Sequence, residues 1–163
     1  MVSLLEMASW LQDTTWSTTI RESTLMYPAI EASHLIILAF SVGTIVWVDM
    51  RLLGWAMRRE PLTDVLEQLQ PYTLAAFGLA FATGLTLLSA EPIKCYNSPV
   101  FRYKMLALAL AGVNALIFHT TVYRSVAKWN QGVKAPPRAK LAGAMSLFLW
   151  TVVIALGRWQ AYS

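Results

Sequence analysis

Four stretches of this chain, residues 32–48, 68–90, 105–123 and 141–157, contain no Asp, Glu, Lys or Arg. Each approaches the ~20 residues that a helix rising 1.5 Å per residue needs to cross a hydrocarbon core. Composition agrees: of 163 residues, 56% are hydrophobic and 13% charged, against roughly 45–50% and 25% in an ordinary soluble domain. The expected fold is all-α and integral to the membrane: an up-down four-helix transmembrane bundle with an N-terminal amphipathic interfacial helix.

Charge placement narrows the partners. The net charge of +4 arises from thirteen basic and nine acidic residues that sit between the apolar runs. That pattern suits lipid headgroups, and no zinc-finger spacing or basic helix points to nucleic acid, so the bilayer is the expected partner and nucleic acid is not. Cys95 is the single cysteine, which leaves no intramolecular disulfide and no cysteine-rich metal centre within one chain.

Residues 1–28 form the first expected unit and 29–163 the transmembrane domain. Glu6, Asp13 and the lack of a basic start argue against a secretion signal. Leu4, Met7, Ala8 and Leu11 recur at amphipathic spacing, with Trp10 and Trp16 at headgroup level, which predicts a short helix on the membrane surface or, with the same apolar face, one packed on a partner subunit. Pro28 opens the first span, which is expected to run to about Arg58. Pro61 with Glu60, Asp64 and Glu67 suits the start of the second, residues 92–99 read as an ordered loop, and 130–137 as the last loop. Ala76, Ala80 and Gly84, and Ala107, Ala111 and Ala115, form small-residue stripes that read as packing seams.

The polar residues near the apolar runs fall into two groups. Glu31, His34, Glu91, Arg102, Lys104 and Arg158 gather at one end, and Asp49, Arg51, His119, Tyr123 and Arg124 at the other; Asn114 stands nearer mid-membrane. Arg51, Lys104 and Arg124 are long enough to reach headgroups. Glu31, Asp49, Arg51, Lys104, Asn114 and Arg124 are the buried-polar or ion-pair candidates, with Glu31 facing Arg102 or Arg158 and Asp49 facing Arg124.

His34 and His119 are the candidate metal ligands, and with Arg102 and Arg158 the candidate cofactor-binding set, for a b-type haem or a quinone. The first and third helices run parallel, so the two histidines lie roughly 15–20 Å apart along the membrane normal. One iron would need both from different copies, or one histidine with Met26 or Met50. The methionines form no copper-binding series, and no G-x-S-x-G, H-E-x-x-H or P-loop pattern supports stand-alone catalysis.

The runs EASHLIILAFSVGTIVWVDMRLLG, NSPVFRYKMLALALAGVNALIFHTTVYRSV and LWTVVIALGRWQ resemble a family of small bacterial four-helix inner-membrane proteins with no established function. The resemblance implies the four-helix fold and a bacterial plasma membrane, and implies no activity. Arg51, Arg58, Arg59, Arg124, Lys128, Lys134, Arg138 and Lys140 outnumber Arg21, Lys94, Arg102, Lys104 and Arg158, which predicts both termini on the periplasmic side. Three functions stay open: an electron-transfer subunit with a His-based haem or quinone site in a larger redox complex; a cofactor-free structural or assembly subunit, as a homo-oligomer or in a complex; and ion or metal transport past Asp49, Asn114 and His119.

Overall fold

The computed structural model describes residues 3–130 and 135–162, and within these no strand occurs. The expected loop over 130–137 and Lys134 of the charge count lie in part or wholly outside the described residues. The α-helices are α1 (Leu4–Gln12), α2 (Thr15–Glu22), α3 (Met26–Leu53), α4 (Leu62–Ala90), α5 (Pro92–Asn97), α6 (Pro99–Ile117) and α7 (Pro137–Gln160). A π-helical turn, Phe118–Val122, and a 3₁₀ segment, Tyr123–Lys128, continue α6.

Four segments are long and apolar enough to cross a membrane: Met26–Leu53, Leu62–Ala90, Pro99–Val126 and Pro137–Gln160, with mean hydropathy of 1.7–1.8. The chain is therefore a multi-pass membrane protein with a four-helix bundle. Local chemistry explains the boundaries. Pro92, Pro99 and Pro137 each occupy a first helical turn, where a missing N–H costs nothing. Gly54 ends α3 in the left-handed conformation at φ 75°, four residues short of the expected Arg58. Pro28 sits in the first turn of α3, whose start at Met26 precedes the expected one by two residues. Residues 92–97, expected as loop, form the helical turn α5.

Packing follows the small residues. α3 lies between α4 and α7, and α7 also packs on α6. Ala76 and Ala80 of α4, and Ala107 and Ala111 of α6, are buried inside the bundle, while Ala115 is exposed. Lipid supplies no hydrophobic drive between helices, so close backbone approach and dispersion contacts hold them. Val42, Ala107, Ala111, Leu149, Trp150 and Val153 form one core, and Leu52, Leu62, Leu66, Phe118, Ala135 and Ala139 a second toward the Arg51 end. Gly143 marks the tightest approach. A Cβ there would lie 3.2 Å from the Leu52 Cβ and 3.3 Å from the Asp49 carbonyl oxygen.

The single amphipathic helix expected at the N-terminus is two helices, each with its own cap. Ser3 and Glu6 make a reciprocal capping box on α1, and the Thr14 hydroxyl accepts from the Ser17 N–H to start α2. α2 docks on the bundle. Its buried Ser17 donates to the Ala90 carbonyl at 3.1 Å, where Arg21 also donates at 3.3 Å, so the open C-terminal carbonyl of α4 gains both a hydrogen bond and a cation. Trp16 Nε1 donates to Ser89 Oγ at 3.1 Å. α1, by contrast, buries none of its residues.

Candidate functional site

Polar residues on α3 form a line. Tyr27, His34 and Ser41 follow at seven-residue intervals and Asp49 eight later, spacings that place all four on one helix face. From Tyr27 to Asp49 the line covers about 33 Å at 1.5 Å per residue, comparable to the ~30 Å hydrocarbon thickness. Its lower part is deeply covered: Ser41 is 1% exposed and Asp49 4%.

Each member meets a different neighbour. The Tyr27 hydroxyl donates to Glu91 Oε2 at 3.1 Å. His34 Nδ1 lies 2.8 Å from Thr83 Oγ1, and the ring also bonds the backbone of Ala80. Thr83 Oγ1 in turn lies within hydrogen-bond distance of the Leu79 and Ala80 carbonyls, which ties the His34 ring to the α4 backbone. Gly84 makes room: a Cβ there would lie 3.2 Å from His34 Cε1. Beside the line, Thr73 of α4 donates to Thr44 Oγ1 at 2.7 Å.

Two buried atoms on the line have no partner, Ser41 Oγ and Asp49 Oδ2. Ser146 of α7 hydrogen-bonds the Asp49 carboxyl, leaving the second oxygen bare. Such a group normally costs about 1–3 kcal/mol, and more when charged. Arg51, two residues on, turns elsewhere: the residue is 2% exposed and Nε donates to the Glu60 carbonyl at 2.7 Å.

A second cluster closes the His34 end. Lys104 Nζ donates to Gln160 Oε1 at 2.7 Å, and Gln160 Nε2 lies 3.8 Å from Cys95 Sγ. Lys104 also lies over the Phe101 ring at 5.4 Å and acts electrostatically on His34. Burial pushes the Cys95 thiol up from its ordinary range, with Lys104 pulling weakly the other way, so little thiolate forms near neutral pH.

The structure distributes the remaining candidates widely. His119 sits in the π-helical turn, exposed, edge-on to Phe118 at 5.4 Å and Tyr123 at 5.7 Å between ring centroids. It does not join His34, whose ring is held by α4. Arg102 is exposed and donates to the Tyr96 carbonyl at 2.9 Å; Arg158, also exposed, pairs with the Tyr162 hydroxyl and lies over that ring. Asn114 is half-buried and donates from Nδ2 to the Ala142 carbonyl at 2.9 Å, tying α6 to α7.

Three expectations need correction. Glu31 and Arg124 are exposed and not buried, because lipid-facing positions at the span ends let them reach the headgroup layer. The Asp49–Arg124 pair does not form, since α7 covers the carboxylate and presents Ser146 to it. Arg51 and Lys104 are held by Glu60 and Gln160 instead of extending to headgroups. Among the described residues no three His, Cys, Asp or Glu side chains converge as a metal site. Tyr27, Ser41, Thr83, Ser146 and Gln160 escaped the sequence reading, although the heptad spacing of Tyr27, His34 and Ser41 was a usable signal.

No curated protein and no solved structure matches the chain. A family model does match, over residues 20–163, from within α2 through all four spans. The chain belongs to the family of unknown function DUF6644.

Proposed function

We propose that this protein is a membrane subunit that carries protons along the buried face of α3, with Asp49 as the intramembrane carrier and His34 as the relay near the opposite end. The observation that carries this reading is the Asp49 carboxyl: 4% exposed, with Oδ2 unpartnered and no cation paired to it among the described residues. An ionisable side chain inside a membrane bundle points to function by default, and one free carboxyl oxygen is what a proton acceptor requires. Ser41, also unpartnered, lies between Asp49 and His34 on the same face. Steps of about 10–12 Å along the helix exceed direct hydrogen-bond reach, so water molecules would complete the relay.

The test uses liposomes with a pH-sensitive dye inside and a potassium diffusion potential as the driving force. Wild type is expected to conduct protons above protein-free liposomes, and Asp49→Asn to fall to their level. Absence of flux in wild type, or equal flux in the variant, overturns the reading.

A redox role is the second reading, favoured by the gathering of Tyr27, His34 and Lys104 near one membrane boundary. In it, His34 would hold a b-type haem or donate to a quinone carbonyl, with Arg102 and Arg158 at the headgroup level, and the α3 line would supply its protons. A reduced-minus-oxidised visible spectrum with iron and quinone assays on the purified protein decides it. Under either reading the chain works as a homo-oligomer or as part of a larger membrane complex. The Lys/Arg bias supports an orientation with both termini on the outer side, and the resemblance to small bacterial four-helix inner-membrane proteins supports a bacterial plasma membrane.

A further inference from the structure

α1 packs along α5, with the Gln12 side chain accepting from the Ile93 N–H, but its apolar stripe is only partly covered. Leu4, Met7 and Leu11 face a recess of about 860 Å³ whose far wall is built by Leu88, Cys95 and Phe101. A space of that size is within the range of ligand pockets, roughly 300–1,000 Å³. α1 is nevertheless a well-built helix, closed by its Ser3–Glu6 capping box. An amphipathic helix gains its stability from covering apolar surface, and here no residue of α1 is buried.

We propose that this recess binds one anionic phospholipid, an acyl chain filling the space under α1 and the phosphate meeting Arg102. Three observations favour that occupant. The recess lies at the end of the spans, between the interfacial helix and the first turn of α6, where lipid headgroups and chains meet. Its lining is mostly apolar and carries charge only at Arg102 and Glu6, and the Glu6 carboxylate is already committed to the Ser3 N–H at 2.7 Å. Arg102 spends one donor on the Tyr96 carbonyl and stays exposed, which leaves much of its fork for a phosphate. Lys94, exposed on α5, adds a second positive charge near this end of the bundle. The bound lipid would complete the packing of α1 and shield Cys95, which lines the recess.

The test is independent of proton conduction. The full chain is purified in mild detergent with extensive exchange, and the retained lipid is extracted and identified by mass spectrometry. One anionic phospholipid per chain is expected. Ala8→Trp, which fills the recess, should abolish retention, and Arg102→Gln, which removes the exposed cation without touching the core, should reduce it about tenfold, the equivalent of one charge-assisted hydrogen bond. No retained lipid in wild type, an isoprenoid quinone in its place, or wild-type retention in both variants overturns the proposal.

Discussion

α3 and α6 run parallel through one bundle and bury opposite chemistries. α6 turns Ala107 and Ala111 inward, and its inward amide, Asn114, is satisfied by the Ala142 carbonyl. α3 turns Ser41, Thr44, Asp49 and Arg51 inward, and leaves a hydroxyl and a carboxyl oxygen without partners. The two helices meet the same neighbour, α7, in the same solvent. Alanine seams are thus sufficient to build this bundle, and the polar face of α3 burdens it with groups that packing does not need. Under the proposed proton-carrying role, stability is given up there to hold a reactive group, a common pattern at functional sites.

The largest effect is expected where the comparison is tightest. Gly143→Leu would drive a side chain into Leu52 and the Asp49 backbone, separating α7 from α3. Thermal unfolding in detergent should show destabilisation of at least about 1–3 kcal/mol, the usual cost of overpacking. A wild-type melting curve would mean that α7 does not seat on Asp49 as described.

Asp49→Leu should act in the opposite direction, raising stability by about 1–3 kcal/mol as an unpartnered polar group is removed, while abolishing conduction. If this variant melts earlier than wild type, the carboxyl is a structural element and the contrast with α6 collapses. Asn114→Ala removes a satisfied interhelical bond on the α6 side, and its cost should be about 1 kcal/mol, the scale of such bonds in membranes. His119→Ala is expected to change stability by less than about 0.5 kcal/mol, because the ring is exposed. A large loss at His119 would show that the π-helical turn carries a load assigned here to α3.

Much of the fold was legible because lipid imposes a crude code. A stretch without charge, long enough to span, can hardly be anything but a helix, and Gly54, Pro61, Pro92, Pro99 and Pro137 punctuate the sequence at or beside the observed helix ends. The division of the N-terminus at Asp13–Thr14 was hidden because the Thr14 cap looks like any other threonine in a polar run. The site was harder for a different reason. Inside a membrane both the core face and the lipid face are apolar, so hydrophobic periodicity cannot tell which side of α3 is buried. Charge drew attention to Glu31 and Arg124, which face outward, and away from Ser41 and Ser146, which face in. Asp49 was visible as an anomaly, but its true neighbour is a serine brought close by Gly143, and nothing in the order of residues announces that approach.

The most direct measurement compares proton flux in matched liposomes containing wild type, Asp49→Asn or His119→Ala. Proton conduction along α3 requires wild type and His119→Ala to conduct alike and Asp49→Asn to match protein-free vesicles. Conduction that survives in Asp49→Asn, or disappears in His119→Ala alone, would contradict it.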